Sequence, residues 1–140
     1  MKNGARDNSN TVVMMGIMES VTEAEIEAIA QWLSYLPGGV GVTGDATLAA
    51  KGAEIYKSKD TNCIGCHGAD ANTPLRPDHF PKLAGQNKTY IITQMKDIRD
   101  GVRDNSQTIV MTGITQGLSN ENIKALAEWL ASLNGPGVSN

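Results

Sequence analysis

Two cysteines and a histidine stand together at Cys63-Ile64-Gly65-Cys66-His67, and they are both cysteines and one of the two histidines of this 140-residue chain. Cys-x-x-Cys-His is the attachment signature of a c-type haem. At that spacing each thiol can add to one haem vinyl group, while the adjacent imidazole reaches the iron from below. Two other chemistries use the same residue types. Redox-active thiols of the thioredoxin kind want a preceding strand and a βαβ context, and the sequence offers neither. A zinc site would have to combine Cys63, Cys66, His67 and His79, with adjacent Cys66 and His67 sharing one tetrahedral ion, against the usual separated ligand pairs.

The elements around the motif are helical. Leu48, Gly52, Ile55 and Tyr56 lie at i, i+4, i+7 and i+8 and predict a short helix leading into it. Gly52 inside that helix costs about 1 kcal/mol relative to alanine, so either something large approaches the backbone there, with Trp129 as the expected neighbour, or the glycine is simply tolerated. Residues 68–86, rich in Asn, Pro, Asp and Gly, predict an ordered loop. A further helix is expected over Lys88 to Arg99, with Ile91, Met95 and Ile98 on one face and Gly101 just past its end. No strand pattern is convincing anywhere, so the fold class is all-α, with helices packed around a cofactor.

Composition agrees and narrows the partners. Aromatic residues make up only 4% of the chain against 40% hydrophobic residues overall, and a large flat apolar cofactor would supply core volume that these side chains do not. A net charge of -3 with a pI near 5.3 argues against nucleic acid, since no basic stripe is present to neutralise phosphates. No apolar run approaches the roughly 20 residues that a membrane span needs. The first residues, Met1-Lys2-Asn3-Gly4-Ala5-Arg6, lack the apolar stretch of a secretory signal.

The chain also repeats itself. Gly4-Ala5-Arg6-Asp7-Asn8-Ser9 answers Gly101-Val102-Arg103-Asp104-Asn105-Ser106, and Thr11-Val12-Val13-Met14 answers Thr108-Ile109-Val110-Met111. At the same offset Ile26, Ala28, Ala30, Trp32, Leu33 and Leu36 match Ile123, Ala125, Ala127, Trp129, Leu130 and Leu133. About half of the aligned positions are identical, far above chance for segments of ordinary composition. Each copy reads as a loop carrying a methionine, followed by a helix. The first helix opens on a capping box, Thr22-Glu23-Ala24-Glu25, and the second has Ser119 as N-cap and stops at Gly135-Pro136-Gly137. Between the copies, residues 37–44 form a flexible linker by composition.

Several motifs in order carry a family resemblance: Cys63-Ile64-Gly65-Cys66-His67-Gly68, then Phe80-Pro81-Lys82-Leu83-Ala84-Gly85-Gln86, Tyr90 and Gln94, Gly101-Val102-Arg103, Met111, and Leu118-Ser119. Over residues 45–134 the chain resembles class I cytochromes c, and within them the cytochrome c4-like type. The resemblance implies one haem c per chain, held covalently through Cys63 and Cys66, with His67 and Met111 as the axial ligands of the iron. Pro81 would offer its carbonyl to the second nitrogen of His67, Leu83 would line the haem face, and Arg103 would either pair with a haem propionate or stand as a solvated loop charge. Met95 is read as a core filler on its helix, and His79 as a weaker competitor for the distal position than Met111.

The same resemblance implies a domain plan. Cytochromes c4 are two such domains in tandem, so residues 1–36 read as the remnant of a first domain, its methionine loop with Met14 and its last helix. Residues 37–44 are then the linker, 45–134 the haem domain and 135–140 a tail, as in a diheme cytochrome lacking the start of its first domain. The apolar stripe of the first helix, with Trp32, Ile26, Ile29, Leu33 and Leu36, is expected to pack on the haem domain or on a second copy in a homodimer. The implied function is a soluble, periplasmic one-electron carrier between a donor dehydrogenase or complex and an acceptor oxidase or reductase, and not an enzyme. The alternative is a haem-based sensor or peroxidase with a labile distal methionine.

Overall fold

In the computed structural model, which describes residues 1–8, 11–105 and 108–139, the regular structure among the described residues is helical throughout. The helices are α1 (Thr11–Glu19), α2 (Glu23–Tyr35), α3 (Ala46–Lys57), α4 (Ile64–His67), α5 (Lys88–Arg99), α6 (Thr108–Thr115) and α7 (Asn120–Ser132). Their starts follow local chemistry. Asp45 accepts from the Leu48 amide at 2.9 Å, Asn87 from Tyr90 at 3.0 Å and Ser119 from Asn122 at 3.1 Å, each satisfying an amide that the helix itself cannot pair. At α2 the capping box is complete: Glu25 accepts from the Thr22 amide at 2.8 Å, and Thr22 accepts from the Glu25 amide at 3.3 Å.

The core forms where α7 lies against α3 and α5, around buried Tyr56, Ile91, Leu118, Ile123, Leu126, Ala127 and Leu130. Gly52 is what lets α3 and α7 meet. A Cβ there would run into the Ala125 carbonyl oxygen and would lie 2.9 Å from Trp129 Cβ. The neighbour is therefore chiefly the backbone of α7, with the stem of the expected Trp129 beside it. The Trp129 ring tilts against Tyr56, centroid to centroid 4.5 Å.

Three expectations are corrected. Met14 and Met111 lie not in loops but within α1 and α6. Both helices are short; α1 is apolar from Val12 to Met18, and the only polar stripe of α6 is made of threonines, Thr108, Thr112 and Thr115, two of whose hydroxyls turn back to helix carbonyls, so the period is weak in the sequence. The supposedly flexible residues 37–44 are laid along the end of α7 and the residues after it: Gly38 donates to Pro136 O at 2.7 Å, Gly135 to Gly39 O at 2.8 Å, Val42 to Ala131 O at 2.8 Å and Gly41 to Asn134 Oδ1 at 2.9 Å. Here glycine serves close approach, since a Cβ on Gly38 would sit 2.6 Å from the Pro136 ring. Finally, the stripe of α2 is not covered by the helices that follow: α2 has no buried residue, and Trp32 is 61% exposed. The notch on α3 that suits such a helix is already filled by α7. The N-terminal segment instead reaches α5 through polar contacts from Arg6 and Asn8.

Candidate functional site

The site begins on a tight corner. Asn62 takes a left-handed φ of 45°, and the chain then closes one helical turn in which the His67 amide donates to Cys63 O at 2.9 Å and the Gly68 amide to Ile64 O at 3.0 Å. Residues three apart on such a turn share a face, so Cys63 and Cys66 come to one side. Neither is in a disulfide and both are partly buried, and burial pushes the Cys63 thiol up from its ordinary value. Gly68 ends the turn at a φ of 80°, where a Cβ would strike the Thr73 carbonyl, and Tyr56 donates to Gly68 O at 2.7 Å. The buried tyrosine thus anchors the motif to the α3–α7 core.

His67 is only 5% exposed, and its Nδ1 stands 2.9 Å from Pro81 O. A carbonyl can only accept, so Nδ1 carries the proton and Nε2 keeps its lone pair. Burial pulls the ring's pKa below its ordinary value, against a smaller upward pull from the Pro81 carbonyl. A neutral imidazole with a fixed tautomer is the form that binds a metal ion. Pro81 is brought to His67 by the 68–86 loop, which is tied back through the Leu83 amide to Ala71 O at 2.8 Å. Leu83 and Met95 are partly buried against the core.

Met111, on α6, lies in contact with His67. His79 is turned to the Asp78 carboxylate, 2.9 Å away, on the same loop as Pro81. Among the described residues no three His, Cys, Asp or Glu side chains gather as a metal-holding group, so the zinc combination of Cys63, Cys66, His67 and His79 is not assembled. Arg103 is anchored through its amide to Asp97 O at 2.9 Å and donates through Nη1 to Gln94 Oε1 at 2.9 Å. Arg6 also donates to Gln94 Oε1, at 3.1 Å, and to Tyr90 Oη at 3.1 Å. Neither Arg6 nor Asn8 was among the expected site residues, although the repeat places Arg6 where Arg103 stands.

The donor set fits a c-type haem. Two free thiols share one face of a turn, a neutral imidazole ends it with Nε2 available, a thioether lies in contact with that imidazole, and partly buried apolar side chains border the core beside them. These are the groups that covalent attachment and soft axial ligation require.

The comparisons agree with this chemistry. The family model for cytochrome c matches residues 49–134, and the chain belongs to that family. It is 32% identical over 128 residues to cytochrome c4 of Stutzerimonas stutzeri, covering 86% of this chain and 60% of that protein. It is 30% identical over 145 residues to a thiosulfate dehydrogenase electron acceptor of Stutzerimonas stutzeri strain A1501, covering 94% of this chain and 62% of that one. Among solved structures, reduced recombinant cytochrome c4 from Pseudomonas stutzeri superposes with a TM-score of 0.75 at 33% identity, covering 86% of this chain and 65% of that one. The chain thus spans less than two thirds of the length of these relatives. It holds one haem c domain, with Cys63 and Cys66 in the attachment motif.

Proposed function

We propose that the protein is a one-electron carrier whose haem is attached through Cys63 and Cys66 and ligated by His67 and Met111. The observation that carries this reading is the His67 ring, kept neutral by burial, fixed in one tautomer by the Pro81 carbonyl and in contact with Met111. Haem c, when bound, supplies an iron that alternates between ferric and ferrous states. The chain's own residues do the rest. Pro81 fixes the imidazole, so its orientation survives a change of iron charge, and Met111 offers a soft thioether that favours the ferrous form over a second imidazole. A haem held by both His67 and Met111 would keep no open position for a substrate, which would separate a carrier from a peroxidase or a sensor.

The domain reading follows the repeat: residues 1–36 are the counterpart of the last part of a first haem domain, with α1 and α2 answering α6 and α7. Donor and acceptor are redox proteins, a dehydrogenase or complex on one side and an oxidase or reductase on the other. Similarity to a thiosulfate dehydrogenase electron acceptor supports the donor side. Covalent haem attachment in this family supports a periplasmic setting. A second copy in a homodimer is the remaining partner for the α2 stripe, whose Trp32 is exposed.

Intact mass and carbon monoxide binding test the reading together. We expect the added mass of one haem, lost in Cys63→Ser/Cys66→Ser, and no carbon monoxide binding to the native ferrous protein. Rapid binding would favour the sensor or peroxidase with a labile Met111.

A further inference from the structure

Tyr56 is the largest of the side chains sealed inside the fold, 1% exposed, and it carries a hydroxyl into the core. A buried O–H needs an acceptor, and Tyr56 finds it in Gly68 O at 2.7 Å, the carbonyl of the residue that follows His67. That oxygen has one further backbone donor, the Ala71 amide, at the longer distance of 3.3 Å. Packing does not call for the hydroxyl, since phenylalanine would fill the same space beside the Trp129 ring. Burial, helped by the nearby Cys63, Asp70 and Cys66, raises the hydroxyl's pKa above its ordinary value, so the group stays a donor. Gly68 cannot drift either: its amide closes the turn on Ile64 O at 3.0 Å, and at its φ of 80° a Cβ would strike the Thr73 carbonyl. The turn is thus held at the imidazole by Pro81 and at the backbone by Tyr56.

We propose that Tyr56 is a positioning residue for the axial histidine, its hydroxyl tying the carbonyl after His67 to the α3–α7 core so that the attachment turn keeps its place when the iron of the bound haem changes charge. The proposal rests on the haem reading above. Pro81 governs the direction of the ring, and Tyr56 governs the backbone from which the ring hangs. The hydroxyl also cancels part of the Gly68 carbonyl dipole. Without it, the negative end of that dipole favours the more positive ferric state, and the reduction potential falls. Tyr56 touches no reacting atom and has no step of its own in electron transfer.

Tyr56→Phe in the haem-loaded protein tests this, with Trp129→Phe as the control that disturbs the same packing and keeps the hydroxyl. Intact mass is read first, and a wild-type chain without covalent haem would overturn the haem reading and remove the proposal with it. With haem present, Tyr56→Phe is expected to lower the midpoint potential and to speed hydrogen exchange at the His67 and Gly68 amides. Trp129→Phe should leave the potential unchanged, whatever it does to Tm. A Tyr56→Phe protein that loses stability but keeps its potential has lost a merely structural bond, and that result overturns the proposal. Unchanged exchange at both amides, or an equal fall in potential in Trp129→Phe, overturns it as well. A ring-fluorinated tyrosine at position 56 gives a second measurement that does not depend on how Tyr56→Phe folds. As a stronger donor of the same shape it should raise the potential, and no shift there also counts against the proposal.

Discussion

Gly52 of α3 lies directly against the Ala125 carbonyl of α7, so close that even a methyl group on Gly52 would displace the α7 backbone. Helix propensity alone favours alanine here by about 1 kcal/mol. Packing opposes it, because backbone atoms cannot swing aside as the end of a side chain can. We expect Gly52→Ala to lose a net of about 2 kcal/mol, a fall of roughly 5 °C in Tm. Exposed Ala50 in the same helix gives the control: Ala50→Gly should lose only the propensity, about 1 kcal/mol. Thermal unfolding followed by helical circular dichroism compares the two, and a Gly52→Ala protein more stable than wild type would refute the close approach.

Trp129 and Trp32 are the same residue in the two copies of the repeat but do different work. Trp129 packs on buried Tyr56, whereas Trp32 faces solvent. Trp129→Ala is expected to cost about 3–5 kcal/mol in urea unfolding of the haem domain, and Trp32→Ala to stay within about 0.5 kcal/mol. Equal losses would mean that α2 is as fully packed as α7.

What could be read from the residues was what is written locally. The helix over Lys88 to Arg99, the capping box at Thr22 and the Ser119 cap depend on neighbours in sequence, and the structure has each of them at the expected place. The attachment motif was equally legible, because the chemistry needs both thiols and the imidazole within one turn. Residues 37–44 were not, since glycine looks the same in composition whether it frees a chain or lets two backbones touch, and only the partners at Ser132 and Pro136 decide which. α1 and α6 escaped notice because they are only two turns long and no charged face sets their period; in α6 the polar face is three threonines, Thr108, Thr112 and Thr115, which strands favour as readily. The junction of Arg6 with Gln94 joins residues 88 apart in the chain, and the repeat hinted at it only by giving Arg6 a mate in Arg103.

Met111 should be the residue on which the distal side depends. Replacing it with alanine leaves attachment through Cys63 and Cys66 untouched, so intact mass should still show one haem. The sulfur-to-iron charge-transfer band at the red end of the ferric spectrum should vanish, and the ferrous form should gain carbon monoxide binding. Met111→His should keep both axial positions filled but lower the potential, because imidazole favours ferrous iron less than a thioether does. Met95→Leu, in a core position, should leave the band in place. A band that survives Met111→Ala would move the ligand elsewhere.

Glu128, on α7, is only 4% exposed and gathers three elements: its carboxylate accepts from Lys88 Nζ at 3.0 Å and from the Asp45 amide at 2.9 Å. The Lys88 bond, followed by the Asp45 amide, holds its pKa below the ordinary carboxylate value of 4.5, against the opposing effect of burial. A carboxylate whose pKa is lower folded than unfolded stabilises the fold above the unfolded value, and that contribution fades as pH falls through the folded one. Glu128→Gln keeps an acceptor for the Asp45 amide but loses the charged partner of Lys88. It should therefore cost about 1 kcal/mol at pH 7, tempered because Lys88 is half exposed and open to screening. The difference from wild type should shrink steadily as pH falls below about 4.5 and on through the lowered value of the folded state. Urea unfolding of both proteins across that range measures it, and comparing the pair cancels the other carboxylates. A gap that is constant with pH would show that Glu128 acts by shape rather than by charge.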